Sequence, residues 1–250
     1  MTILVFDGSW HGLLCCVFDV FEYKLGPVSV SACSHNQADA FGAERLVCTD
    51  PAHAARVSKG LSGKLSAKAM ADLYACFLSE WSEAPSLIVR YARAVFSEGL
   101  TENAYGHPDV LKVTQIAKRV SRERHRMKAF IRFQLTSDGI YFAQIEPDFN
   151  VIPLIAGHFK RRYADQEWII YDKKRQYGIY YDLKKVEEVQ FTFSEGKPNP
   201  SAFTESEALY QTMWRDYFKH VSIDSRKNTA LHLRHVPKRY WKHLIEKQVY

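Results

Sequence analysis

No apolar run in this chain approaches the ~20 residues that a membrane-spanning helix needs. Its first residues, Met1 to Asp7, carry no basic leader and no signal-like apolar stretch. A membrane protein is therefore a poor reading. The five cysteines, at 15, 16, 33, 48 and 76, lie early and show no CxxC or CxxxCxxC spacing. The common cysteine motifs for zinc, clusters and redox exchange are excluded, and the odd count argues against a disulfide framework. All five read as reduced, buried cysteines of a cytosolic protein. Internal repeats and low-complexity tracts are missing. So is any helix-turn-helix, zinc finger or other sequence-reading module. Met127 to Phe133 is faintly like an RNA-recognition strand but lacks the required glycines.

What is present is positive charge beside aromatic rings. Residues 1–100 hold eight Lys/Arg against ten Asp/Glu, whereas residues 101–250 hold 26 against 18. The basic character is concentrated in Arg215 to Tyr250, with nine Lys/Arg against three acids. That stretch contains Ser225-Arg226-Lys227-Asn228 and Arg234-His235-Val236-Pro237-Lys238-Arg239-Tyr240-Trp241-Lys242-His243. Cations can meet phosphates and planar rings can stack on bases, so the pattern points to a nucleic acid. It names no reaction.

The hydrophobic pattern divides the chain into a mainly helical N-terminal module, 1–98, and a basic domain, 107–250, ending in the basic and aromatic segment. Residues 2–6 read as a strand, and Ser9 caps a helix with apolar positions 13, 14, 17, 18 and 21. Residues 27–32 and 44–48 are short strands, and Thr49-Asp50-Pro51 opens a helix that ends near Gly60. Apolar stripes over 70–81 and 87–95 predict two more helices. A long helix over 109–127 buries Val110, Val113, Ala117 and Val120 and shows Lys118, Arg122 and Arg126 on one stripe. Residues 129–135 and 140–146 read as a hairpin around Ser137-Asp138-Gly139. Asn150 and Pro153 open a short helix, and 168–172, 177–182 and 186–193 read as a three-stranded meander. A loop over 194–206 precedes a helix over 206–221 that buries Leu209, Met213, Trp214, Tyr217 and Val221. Antiparallel strands grouped with flanking helices predict an α+β fold.

Several motifs have simpler readings than the chemistry they suggest. Gly60-Leu61-Ser62-Gly63-Lys64-Leu65 has two residues between its glycines where a phosphate loop has four, and a leucine after the lysine. A helix-ending turn explains it. Asp7, Ser9 and His11 are triad residue types, but a turn and an N-cap account for all three. Cys15 and Cys16 lie in an apolar helix pattern that disfavours a thiolate. Glu146, Asp148, His158 and Asp172 are the acid/base candidates, with Asp148 or Asn150 equally suited to cap the next helix. No metal-ligand spacing occurs among them. Tyr240 and Trp241 could stack on a base or anchor their segment in the core.

The order of residues along nearly the whole chain resembles a bacterial family described as "probable DNA metabolism protein". The carrying stretches include Phe6-Asp7-Gly8-Ser9, Thr49-Asp50-Pro51, His107-Pro108-Asp109-Val110, Glu123-Arg124-His125-Arg126-Met127 and Tyr141-Phe142-Ala143-Gln144-Ile145-Glu146-Pro147-Asp148. They continue through Pro153 to Phe159, Trp168 to Arg175, Arg226-Lys227-Asn228 and Pro237 to Trp241. The resemblance implies a gene that neighbours a radical SAM protein of DNA modification or repair. Some relatives are fused to a uracil-DNA-glycosylase-type domain. It supplies no catalytic residue and no cofactor. This chain lacks both a glycosylase water-activating motif and a radical SAM cysteine triplet, so such chemistry is expected of a partner.

Three functions follow as expectations. The first is an accessory nucleic-acid-binding protein of DNA repair or modification that works with a radical SAM partner. Its contacts would be Lys118, Arg122, Arg126, Arg161, Arg175, Arg226, Lys227, Lys238, Arg239, Tyr240 and Trp241. The second is an enzyme using Glu146, Asp148, His158 and Asp172 on a nucleic acid or nucleotide. The third is an adaptor whose basic surface docks an acidic partner protein.

Overall fold

A computed structural model of the chain describes residues 2–33, 43–190, 204, 207, 209–215 and 229–247. Residue contacts separate two units, Met1–Arg122 and Glu123–Tyr250. The α+β class expected from the pattern is the class observed.

In the first unit, β1 (Thr2–Phe6) lies between β2 (Val28–Ala32) and β3 (Ala43–Leu46), and both pairings are parallel. Its near-continuous apolar sequence suits a central strand, and Leu4, Val5 and Phe6 are buried. Ser9 caps α1 (Trp10–Glu22) by accepting the Gly12 N–H at 2.9 Å. Asp50 caps α2 (Pro51–Ser62) through the N–H groups of Ala52 and His53, with Pro51 in the first turn. Next come α3 (Ala67–Phe77) and α4 (Ala84–Ser97), which buries Leu87, Ile88, Tyr91, Ala92 and Val95 on the expected stripe. The long helix α5 (Pro108–Phe130) buries Val110, Val113, Ala117 and Val120, as its periodicity requires.

The second unit holds the end of α5 and one five-stranded sheet in the order β4-β5-β6-β7-β8. These strands are β4 (Gln134–Leu135), β5 (Tyr141–Ile145), β6 (Trp168–Asp172), β7 (Tyr177–Tyr181) and β8 (Val186–Val189). Helix α6 (Ile152–Arg162) connects β5 to β6, which pair in parallel, and the other pairings are antiparallel. The core below gathers Phe133, Phe159, Tyr163, Trp168 and Tyr181, with ring centroids 5.4–6.3 Å apart. After α7 (209–215) and α8 (Thr229–His235), two 3-10 turns close the described chain, Lys238–His243 and Ile245–Lys247.

Five expectations are corrected. The hairpin and meander form one mixed sheet, because a helix between β5 and β6 carries the chain back to a parallel start. The strand expected at 129–135 shrinks to two residues, since α5 runs on to Phe130 with Met127 buried. Helix α2 passes Gly60 and ends at Ser62, with Gly60 close against the Phe96 ring. Cys33 and Cys48 are exposed, whereas Cys15, Cys16 and Cys76 are buried, and burial pushes the Cys76 thiol up to about 12. Finally, Leu209, Met213 and Trp214 on α7 are exposed, Leu209 by 61%. The remainder of that expected helix, with Tyr217 and Val221, and most of the loop over 194–206 lie outside the described residues.

One glycine carries the packing of β6 on β7. A Cβ at Gly178 would fall 2.5 Å from the Ile170 carbonyl oxygen and 3.1 Å from the Tyr171 Cα, both backbone atoms that cannot turn aside. Gly178→Ala is expected to destabilise the second unit by about 1–3 kcal/mol. Gly106→Ala, with no atom within 4 Å of its added methyl, is expected to stay within about 0.5 kcal/mol of the native chain. Urea unfolding midpoints of the two variants check this.

Candidate nucleic-acid interface

Some of the cations expected to meet phosphates are held inside the second unit by carboxylates. Glu123, on α5, has a side chain only 2% exposed. Its carboxylate accepts the Asp148 N–H at 3.1 Å, the Tyr240 hydroxyl, and Arg239 Nη2 at 3.1 Å, and Arg126 lies 3.8 Å away. Arg239 also reaches Asp148 Oδ2 at 2.9 Å. Tyr240 is buried beside the Phe130 ring, and burial pushes its phenol pKa up. Its ring is a core anchor and offers no face to a base. Trp241 is half-buried and donates its indole N–H to the Val236 carbonyl at 3.0 Å.

The acid/base candidates divide between two places. Asp172 is fully buried at the end of β6 and receives Arg175 Nη1 at 2.7 Å and the Lys174 N–H at 2.9 Å. Burial raises its pKa, against the lowering effect of Arg175 and the turn amides. Arg175 also donates to the carbonyls of Pro147 and Asp148, both at 3.2 Å. Glu146 is paired with Lys242 and lies 3.7 Å from His243 Nε2. Asp148 and Asp172 are joined through Arg175, Glu146 is held by Lys242, and each of the three carboxylates faces a Lys or Arg. Neither Asp148 nor Asn150 caps α6. Val151 occupies that position without a side-chain bond, and Asn150 accepts the Tyr177 hydroxyl.

His158 lies apart from the carboxylates, in a group of cations. Arg124 and Lys128 are four residues apart on α5, and His158, Arg161 and Arg162 are three and four apart on α6, so each set shares a helix face. The Arg161 guanidinium passes 3.5 Å from where a Cβ would stand on Gly157. Burial lowers the Lys128 pKa, and the charges of Arg124 and Arg161 lower it further. Burial also lowers the His158 pKa, with Lys128, Arg162 and Arg161 adding to it. Among the described residues, the charges that shift these two groups are positive. Such a group repels itself and gains from an anion. Cations at helix C-termini are favourable by only about 0.3–1 kcal/mol each, and that effect does not require them to crowd.

The expected contact residues therefore separate. Arg126, Arg175 and Arg239 are engaged by carboxylates, and Tyr240 and Trp241 brace their own segment. Lys118, Arg122, Arg161 and Lys238 are exposed. Arg226 and Lys227 lie outside the described residues. Arg124 and Lys128 were missed. Their spacing of four was visible in Glu123-Arg124-His125-Arg126-Met127-Lys128, but no sequence signal shows that the charge of Arg161 on α6 bears on Lys128. A separate cleft in the first unit, lined by Lys68, Asp72, Tyr91 and Glu102 among others, includes none of the expected residues. Among the described residues, no helix is long and apolar enough to cross a membrane, and no group of three or more His, Cys, Asp or Glu could hold a metal ion.

Residues 82–246, about two-thirds of the chain, match the family model described as "Domain of unknown function (DUF4130)", and the chain belongs to that family. The matched span contains both the carboxylate network and the α5–α6 cations. No curated protein and no solved structure matches the chain.

Two outcomes follow from this geometry. Glu123→Ala leaves Arg239 and the Tyr240 hydroxyl without their buried acceptor and is expected to cost about 3 kcal/mol, read from the urea midpoint. The second concerns pH. His243 is half-buried, its Nε2 makes no hydrogen bond, and burial holds its pKa below the ordinary 6.5 despite Glu146. His158 and His232 are lowered in the same direction, chiefly by burial. For such groups the unfolded chain binds protons first, so stability is complete above about pH 6.5 and falls as the pH drops below it. Urea midpoints at several pH values are expected to show this loss, with a shallower slope in His243→Gln.

Proposed function

We propose that this DUF4130 member is an accessory nucleic-acid-binding protein, and that the α5–α6 cations are its phosphate contact. The observation that carries the reading is that Arg124 and Lys128 share one face of α5 and His158, Arg161 and Arg162 one face of α6, and that the charges of Arg124 and Arg161 bear on Lys128. A polyanion relieves that repulsion and releases counterions as it binds. Exposed Lys118, Arg122 and Lys238 add to the positive surface of their own units. Participation in DNA repair or modification beside a radical SAM partner is the finer part of the proposal. It rests on the resemblance over the ordered motifs from Phe6 to Trp241. In this reading the chain binds and positions the nucleic acid, and the partner performs the chemistry.

An acid/base enzyme is less favoured, because Glu146 and Asp172 are matched by Lys242 and Arg175. An adaptor role has one observation behind it, the exposed Leu209, Tyr210 and Met213 on α7.

Fluorescence anisotropy with single-stranded DNA, duplex DNA and RNA across a salt series tests the proposal. Binding is expected to weaken steeply with salt. Lys128→Ala/Arg161→Ala/Arg162→Ala is expected to weaken it further and to flatten the slope by roughly 0.7–0.9 per lost phosphate contact. An unchanged affinity and slope in this variant would overturn the assignment. Salt-sensitive capture of the co-expressed radical SAM protein without nucleic-acid binding would select the adaptor.

A further inference from the structure

The first unit holds a cleft that the nucleic-acid reading does not use. It encloses about 500 Å³ and opens to solvent between the start of α3, the middle of α4, the connection 98–107 and the first turns of α5. A space of this size suits a small molecule. Part of its lining is apolar, from the buried Ala69, Val110 and Val113. The charges in it do not balance. Lys68 is ion-paired with Asp72 Oδ2 one turn along α3. Glu102 accepts the Ser66 N–H at 3.3 Å and has no ion pair among the described residues. Two carboxylates thus meet one ammonium. Tyr91 supplies an independent observation. It is only 3% exposed, it lines the cleft, and its hydroxyl makes no hydrogen bond among the described residues. Burial raises its phenol pKa, and the charges of Glu102 and Asp72 add to the rise, so the hydroxyl stays protonated. A buried hydroxyl without a partner is costly, and a ligand atom in the cleft removes that cost.

The component that completes this cleft is a cation with several donors. An alkylammonium carries one positive charge and three N–H groups. Glu102, the Asp72 oxygen not taken by Lys68, and the Tyr91 oxygen are three acceptors in the lining. The exposed Tyr105 ring offers a π face to the same charge, and the apolar lining takes methylenes. An anion would meet two carboxylates, and a neutral apolar molecule would leave Glu102 without a counter-charge. We infer that this cleft binds a small aliphatic amine, held by Glu102, Asp72 and the Tyr91 hydroxyl, with its carbon chain against Ala69, Val110 and Val113. The inference is independent of the nucleic-acid proposal, since every lining residue lies in the first unit and none is an expected phosphate contact.

The test is titration calorimetry of the full chain with n-butylamine and diaminobutane, beside n-butanol and butyrate, which keep a similar carbon chain and lack the positive charge. Saturable binding of the amines is expected, with none of the alcohol or the acid. Glu102→Gln is expected to weaken the amines about tenfold, the worth of one charge-assisted hydrogen bond. Tyr91→Phe removes one neutral acceptor and keeps the packed ring. It is expected to weaken them roughly threefold and to leave the thermal midpoint at or above the native value. Lys68→Ala releases Asp72 and removes a competing cation. It is expected to tighten binding roughly twofold to fivefold, a change that misfolding does not produce. Amines that do not bind the native chain at millimolar concentration, or bind it no better than n-butanol, would overturn the inference. So would an amine affinity that is the same in Glu102→Gln and Tyr91→Phe as in the native chain. Binding of adenosine or guanosine in the absence of amine binding would also overturn it.

Discussion

A carboxylate that is buried must be matched by donors, and in the second unit that constraint falls on Glu123. Taking this group out of water costs several kcal/mol unless hydrogen bonds and charge replace the lost hydration. The replacements come from its own helix at Arg126, from the loop after β5 at the Asp148 N–H, and from the C-terminal 3-10 turn at Arg239 and Tyr240. One acid therefore ties three distant stretches of chain to one point. Asp172 and Glu246 do the same on a smaller scale. Asp172 secures the β6–β7 turn and the Pro147-Asp148 carbonyls through Arg175, and Glu246 joins Arg132 at 2.8 Å to the Trp214 indole at 3.0 Å. Arg132 and Trp214, working through hydrogen bonds, lower the Glu246 pKa against the opposing effect of its burial.

This constraint divides the cations of the second unit into two populations. Arg126, Arg175 and Arg239 complete the fold, and their charge is cancelled locally. Lys128 bears the like charges of Arg124 and Arg161 instead, and these, with burial, lower its pKa. Net charge counts both populations equally, which is why the basic balance of residues 101–250 says less about binding than its size suggests. The informative quantity is which positive groups lack a nearby negative one, and only three-dimensional placement reveals it.

The legible parts of the fold were those whose signal is local. Helices α1, α4 and α5 follow from apolar periodicity, and the caps at Ser9 and Asp50 follow from a short polar side chain before an apolar stripe. Strands β1, β5, β6 and β7 follow from short apolar runs bounded by turns. The errors arose where two local readings competed. The stretch 129–135 alternates like a strand, yet α5 continues through its first residues because Met127 and Ile131 are buried. The apolar face of α7 looked like core and is exposed, since periodicity shows that a face exists and not what covers it. Of the site, the basic C-terminal run stood out and proved partly structural. Arg124 and Lys128 drew no attention in a segment already rich in charge.

The sequence by itself determined the α+β class, most of the elements, their caps and the uneven charge, because propensity, periodicity and capping act over a few residues. Tertiary structure decided that α6 returns the chain to a parallel β6 and that Glu123 claims Arg239 and Tyr240 from more than 100 residues away. Those outcomes depend on which faces meet. A buried charge selects its partner by distance and desolvation, and separation along the chain does not encode either.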